Sequence, residues 1–148
     1  MAISYDVFAK GFLSKVTDYD LANLAQDVRT ETVDGYMKMA CSRFNKICKY
    51  SLINGDDEKR ELPGDIPAEE YDTIVDIVSE GMVVMWLKPY TYRAENLENI
   101  LNTRDIFAYS PAELLRQVSG VYDKARKEFV AMMRQYSYDY GDLTNLSL

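Results

Sequence analysis

Apolar residues recur along this chain at intervals of three and four, the spacing that places them on one face of an α-helix. No segment before the C-terminus shows the alternating pattern of a strand, so we expect an all-α protein. A capping-box pattern at Thr17 predicts a short helix from Asp18 to Ala25. Before it, a first helix is predicted from Ser4 to about Lys15, with an apolar face of Tyr5, Phe8, Phe12 and Leu13.

Three longer helices are predicted to follow. Thr30 is expected to cap a helix that reaches about Tyr50. Pro67 is expected to begin the next, which ends at Lys88-Pro89. The apolar residues of that helix cover most of its circumference, which predicts a central position, with Gly81 admitting a close neighbour. The run Ser110-Pro111-Ala112-Glu113 combines a cap, a proline and an acid in the order that begins a helix, and this last helix is predicted to run to Tyr136.

Together with a short helix at about 94–101, these elements predict a compact bundle of three long and two or three short helices. The length of 148 residues agrees with one domain, which we place at 1–136. Residues 137–148 are predicted to form an extended, projecting tail. The segment 54–65, rich in aspartate, glycine and proline, has the composition of a flexible loop.

The tail is the first candidate interaction site. In an extended strand, Tyr136, Tyr138 and Tyr140 point to one side of the backbone. Tyrosine is enriched at protein interfaces because its ring is apolar and its hydroxyl is polar. Such a strand either adds to the exposed sheet edge of a neighbour, folds back on its own bundle, or frays. The residues that we expect at a partner interface are Tyr136, Tyr138, Tyr140, Asp142, Leu143 and Leu146.

The second candidate site is acidic. The net charge of −7 is concentrated between Asn54 and Glu80, a segment that contains ten acidic and two basic residues. Either these residues form a solvated loop and helix face that maintain solubility, or they form a surface for a basic partner. No basic patch with interleaved aromatic residues is visible, which disfavours direct binding of nucleic acid. The candidate acidic site consists of Asp56, Asp57, Glu58 and Glu61.

Catalytic and metal-binding patterns are weak, and we expect neither an enzyme nor a bound cofactor. The chain has no histidine and no glycine-rich phosphate loop. Asp76 and Glu80 share a helix face, but no second carboxylate pair completes a metal site, so we expect them to be solvated. Cys41 and Cys48 are ~10 Å apart on a helix, too far for a disulfide, and should be reduced and inert.

No run approaches the roughly 18 uncharged apolar residues of a membrane span, and the first residues lack the pattern of a signal peptide. The expected location is therefore a cytoplasm, with no membrane partner.

Three segments carry a family resemblance: Ser79-Glu-Gly-Met-Val-Val-Met-Trp-Leu-Lys-Pro89, Leu101-Asn-Thr-Arg-Asp105 through Ser110-Pro-Ala-Glu-Leu-Leu115, and Tyr136-Ser-Tyr-Asp-Tyr-Gly-Asp-Leu143. They resemble small head–tail connector proteins of tailed bacteriophages, also called adaptor, neck or head-completion proteins. The resemblance lies in a general pattern: a small helical domain, a central helix ending in Trp-Leu-x-Pro, a long last helix and a projecting C-terminus.

This resemblance implies a structural virion protein. Proteins of this class form a ring beneath the portal, extend the DNA channel and dock the next neck or tail protein. The expected partners are the portal protein, neighbouring copies in a ring that follows the portal's twelvefold symmetry, and the next neck or tail component. DNA passes through without specific binding, and an acidic channel lining at Asp56, Asp57, Glu58 and Glu61 lets it slide. The location implied is the virion neck, after assembly in the host cytoplasm.

Two other classes stay open. One is an acidic protein that mimics DNA, or a regulatory protein, and inhibits a host enzyme; a mimic predicts carboxylates spread along one surface of a monomer. The other is a small helical enzyme or regulator with a pocket among Trp86, Tyr122 and Phe129, which predicts a ligand that raises thermal stability.

Overall fold

The structure, a computed structural model, describes residues 2–16, 24–62, 66–91 and 111–140. For residues 111–115 it describes the backbone alone. Within these ranges the chain is mostly helical, as the apolar spacing predicts. The helices are α1 (Tyr5–Lys15), α2 (Gln26–Phe44), α3 (Ala68–Leu87) and α4 (Pro111–Tyr140), and a 3-10 turn (Lys88–Thr91) follows α3. Two short strands, β1 (Ile3–Ser4) and β2 (Glu61–Leu62), complete the described elements.

The helix α3 lies at the centre, and α1, α2 and α4 all pack on it. Pro67 precedes its first turn, where acidic side chains meet the positive end of the helix dipole, and the α-helix ends at Leu87 before Pro89. Gly81 is the point of closest packing. A Cβ there would lie 2.7 Å from Phe129 Cζ and 2.8 Å from Ala40 Cβ, so glycine lets α2 and α4 approach α3 together.

The two strands form a small antiparallel sheet that the sequence pattern did not predict. Ile3 pairs with Leu62 and Ser4 with Glu61, and the Tyr5 amide then donates to the Arg60 carbonyl at 2.8 Å. Strands of two residues are too short to show alternation, which explains the omission. The sheet ties the segment before α3 to the start of α1, where Ser4 Oγ accepts a hydrogen bond from the Asp6 amide.

The bounds of α2 differ from the prediction. The helix begins at Gln26 rather than at Thr30, and Leu24 and Ala25, the predicted end of the preceding helix, are not helical; Thr17 to Asn23 lie outside the described residues. It ends at Phe44, six residues before Tyr50. The reason is a turn in which Asn45 Oδ1 accepts the Leu52 amide hydrogen bond at 2.9 Å.

The last helix overruns the predicted boundary, because α4 continues through residues 136 and 137 to Tyr140. The extended backbone predicted for Tyr136 to Tyr140 is therefore wrong. Tyr136 and Tyr140 are four residues apart, which puts both on one helix face, and their ring centroids are 5.2 Å apart. Gln135 also bonds Asp139 across one turn. The predicted tail residues Asp142, Leu143 and Leu146, and the predicted helix at 94–101, lie outside the described residues.

Among the described residues, no helix combines the length and the apolar composition needed to cross a bilayer.

Candidate interaction surfaces

Tyr136, predicted to bind a partner, belongs to the core. Its side chain is 1% exposed, and its ring lies edge-on to Phe44 with centroids 5.0 Å apart. Its hydroxyl accepts a hydrogen bond from the Lys49 amide at 3.4 Å and contacts the Cys48 thiol at 3.7 Å. Burial raises the pKa of this phenol. Tyr136 therefore joins the end of α4 to the segment after α2, and it is inaccessible to another molecule.

The other two tyrosines of the predicted interface differ from each other. Tyr138 is 68% exposed and points away from the core. Tyr140 is half-buried, with the Lys49 ammonium 5.9 Å from its ring centroid. Of the three, Tyr138 is the one whose ring is available at the surface.

The predicted acidic site is an ordered turn. Asp56 Oδ1 accepts hydrogen bonds from the amides of Glu58 and Lys59, at 3.0 and 3.2 Å, and the Asp56 backbone pairs with Glu61. Asp57 accepts a hydrogen bond from the Tyr5 hydroxyl and forms an ion pair with Lys38, both at 3.0 Å. Two of the four carboxylates thus hold the turn together.

These contacts shift the pKa values of Asp57 and Tyr5. The Lys38 ammonium, and then the Tyr5 hydroxyl, hold the pKa of Asp57 below its ordinary value. Burial, followed by the hydrogen bond to Asp57, raises the pKa of Tyr5 to about 12.

Arg60 organises this region, and sequence reasoning assigned it no role. Its guanidinium forms a two-pronged ion pair with Asp34, with both N···O distances 2.8 Å, and a third bond of 2.8 Å to Asp6. Asp34 and then Asp6 raise its pKa, which keeps it charged. Arg60 also adopts a left-handed backbone conformation, with φ of 52°, an uncommon one for a residue with a side chain. A lone arginine in an acidic segment carried no sequence signal of this network.

A groove of about 870 Å³ opens beside this network along the first half of α2. Four carboxylates line it, against the two basic residues Lys38 and Arg60, which already pair with Asp57 and Asp34. Asp27 and Glu31 form no ion pair with the residues that the structure describes. We call this surface the acidic groove; the lining residues that matter below are Asp27, Glu31, Asp34, Gly35 and Asp57.

The outer side of α4 has the opposite charge. Helical spacing places four basic residues on the side opposite Val118 and Tyr136, which are buried. All four are exposed, and none forms an ion pair within the described parts of the chain. The exposed Asp123 lies on the same side, so the cations outnumber the acids there without excluding them. Gly120 and Tyr138 share this side. We call this surface the basic face; its cations are Arg116, Lys124, Lys127 and Arg134. Sequence reasoning did not identify these cations as a surface.

The weak chemical candidates have ordinary structural partners. Asp76 and Glu80 both form ion pairs with Lys15, at 3.2 and 3.1 Å. Burial raises the pKa of Cys41 to about 12, and the pKa of Cys48 is raised for the same reason, so both thiols keep their protons near neutral pH.

Of the three residues considered as a pocket lining, Trp86 and Phe129 belong to the core and Tyr122 is half-buried. Phe129 is buried against Gly81, and Trp86 packs edge-on to Phe12 with centroids 6.2 Å apart.

Comparison of the chain with models of protein families, with curated proteins and with solved structures found no match.

The acidic groove presents carboxylates along α2, and the basic face presents exposed cationic side chains along α4. Their opposite signs on one chain suit contacts with charged protein surfaces.

Proposed function

We propose that this chain is a structural protein of a tailed bacteriophage virion, which forms a ring between the portal and the tail. In this position it extends the DNA channel and provides the docking surface for the next neck or tail protein. It acts by assembly and not as an enzyme, and its place is the virion neck after assembly in the host cytoplasm. DNA passes through the ring without specific binding.

The observation that carries the proposal is the packing of the two helices that contain most of the resembling sequence. The segment from Ser79 to Pro89 forms the second half of the central helix α3 and the turn after it. The segment that begins at Ser110 leads into α4, which at 30 residues is ~45 Å long and packs along α3. A central helix ending in Trp-Leu-x-Pro and a long last helix are two features of the connector pattern.

Native mass spectrometry of the chain mixed with the portal protein of its own phage tests the proposal. We expect a discrete complex with many copies of this chain for each portal ring, and about twelve if the symmetries match. A matched mixture with the portal of an unrelated phage is the control for non-specific binding. A chain that stays monomeric beside its own portal, at concentrations well above the micromolar range, contradicts the proposal.

A DNA mimic is not carried forward as a second candidate. Mimicry needs carboxylates that are free along one surface, and the ion pairs of Asp34, Asp57, Asp76 and Glu80 within the chain reduce the free negative charge for it.

A further inference from the structure

Two glycines of the described helices have no packing explanation among the residues that the structure describes. Gly35 lies inside α2 and Gly120 inside α4, positions where glycine lowers helix stability relative to alanine. The glycines of the other two helices are explained by packing within the chain. A Cβ on Gly11 in α1 would lie 2.2 Å from Ser79 Oγ, and Gly81 in α3 is tightly packed. Around Gly35 and Gly120, no described atom beyond the surrounding helix lies within 4 Å of such a Cβ.

The two unexplained glycines lie on surfaces of opposite charge. Gly35 lines the acidic groove, where Glu31 precedes it by one turn and carries no paired cation among the described residues. Gly120 lies on the basic face, with Arg116 one turn before it and Lys124 one turn after it. A glycine allows two helix backbones to approach closely, and flanking charges of opposite sign fix which surface meets which.

We propose that the basic face of one copy of this chain packs into the acidic groove of a second copy, with Gly120 and Gly35 at the closest approach of the two helices. The inference deepens the proposed function, on which its choice of a second copy as partner rests, by naming the surfaces that neighbouring copies share. The contact joins two different surfaces, so each contact leaves a groove on one copy and a basic face on the other free. Contacts of this type repeat until the assembly closes into a ring.

Charge reversal tests the pairing on the isolated full-length chain. Native mass spectrometry and sedimentation velocity at low ionic strength are expected to show assemblies of the wild type, which dissociate in high salt because ions screen surface charges. Arg116→Glu, Lys124→Glu and Lys127→Glu together make both surfaces acidic, and Asp27→Lys with Glu31→Lys makes both basic. Each variant alone should be monomeric. An equimolar mixture should assemble again, since each variant then meets a surface of opposite charge.

Bulk at the glycines tests the closest approach without disturbing the fold. No described atom outside the surrounding helix lies within 4 Å of a Cβ at either glycine, so with Gly120→Leu or Gly35→Leu circular dichroism and the melting temperature should be unchanged or higher. Self-association should weaken by at least roughly tenfold in the dissociation constant, since the added side chain separates the helices. Lys10→Leu, an exposed position on α1 outside both surfaces, is the matched control and should assemble like the wild type.

The inference is overturned by a wild-type chain that stays monomeric at low salt, by mixed charge variants that stay monomeric, or by leucine variants that assemble normally. The portal experiment is separate. A chain that assembles through these surfaces but ignores the portal keeps the inference and contradicts the connector role. A chain that joins the portal ring but fails the charge-swap test supports the connector role and contradicts the inference.

Discussion

The same substitution at two glycines should have opposite effects on stability. Gly81→Ala places a methyl group within 3 Å of Phe129 and Ala40, and Ala40 Cβ is fixed to its backbone. Overpacking of this kind costs about 1–3 kcal/mol, of which better helix propensity returns up to about 1 kcal/mol. We expect a net loss of roughly 1 kcal/mol. Gly120→Ala meets open space and should stabilise the monomer by about 0.5–1 kcal/mol. Urea denaturation of both variants measures the two values; a gain at Gly81 would contradict the packing.

Tyr5 should make the fold sensitive to alkali. Its pKa is raised to about 12 in the folded chain, whereas an unfolded tyrosine titrates near 10. Below pH 10 the phenol is protonated in both states and its contribution is constant. Between about pH 10 and 12 the unfolded state loses the proton first, so stability falls as pH rises.

The test is denaturation of Tyr5→Phe and of Tyr138→Phe, an exposed matched control, across that range. The decline with pH should be shallower in Tyr5→Phe than in the wild type and in Tyr138→Phe. Equal slopes in all three proteins would remove Tyr5 from the explanation.

At the scale of an element, two truncations at the end of α4 distinguish the residues needed for folding from those needed for assembly. Removing residues 141–148 leaves Tyr136 and Tyr140 in place, so the melting temperature should hardly change, while binding to the portal should be lost if the tail docks there. Removing 136–148 also removes the buried Tyr136 ring and should cost about 3–5 kcal/mol. Thermal denaturation and portal binding of both truncations measure the difference. A shorter chain that still joins the portal would exclude the tail as the docking element.

The elements show what a single sequence specifies. The helix α3 could be predicted closely because caps and apolar spacing agree along its length. The overrun of α4 was missed because three alternating tyrosines fit both a strand and a helix, and the core contact of Tyr136 with Phe44 decided between them. The groove and the role of Arg60 depend on residues far apart in sequence, such as Asp6 and Asp34, which only the folded chain brings together.

At the scale of the whole molecule, the proposed role of the acidic turn (Asp56, Asp57, Glu58 and Glu61) in the DNA channel can be tested separately from its contribution to stability. Neutralising Asp56, Asp57 and Glu58 together is expected to impair DNA retention or ejection, but two of these residues also hold the turn. Glu58 forms no ion pair within the described chain, so Glu58→Gln removes one charge without removing a structural contact. Asp139→Asn, an exposed position on α4, is the matched control for lost charge.

If the turn lines the channel, particles with Glu58→Gln should retain less DNA or eject it more slowly than particles with Asp139→Asn, and the triple variant should show the larger defect. Both single variants should have the melting temperature of the wild type, which separates the channel effect from misfolding. The physical reason is that an acidic wall repels the phosphate backbone, so that each lost carboxylate weakens the repulsion that keeps DNA mobile. Unchanged infectivity of a correctly folded triple variant would place the acidic turn outside the channel.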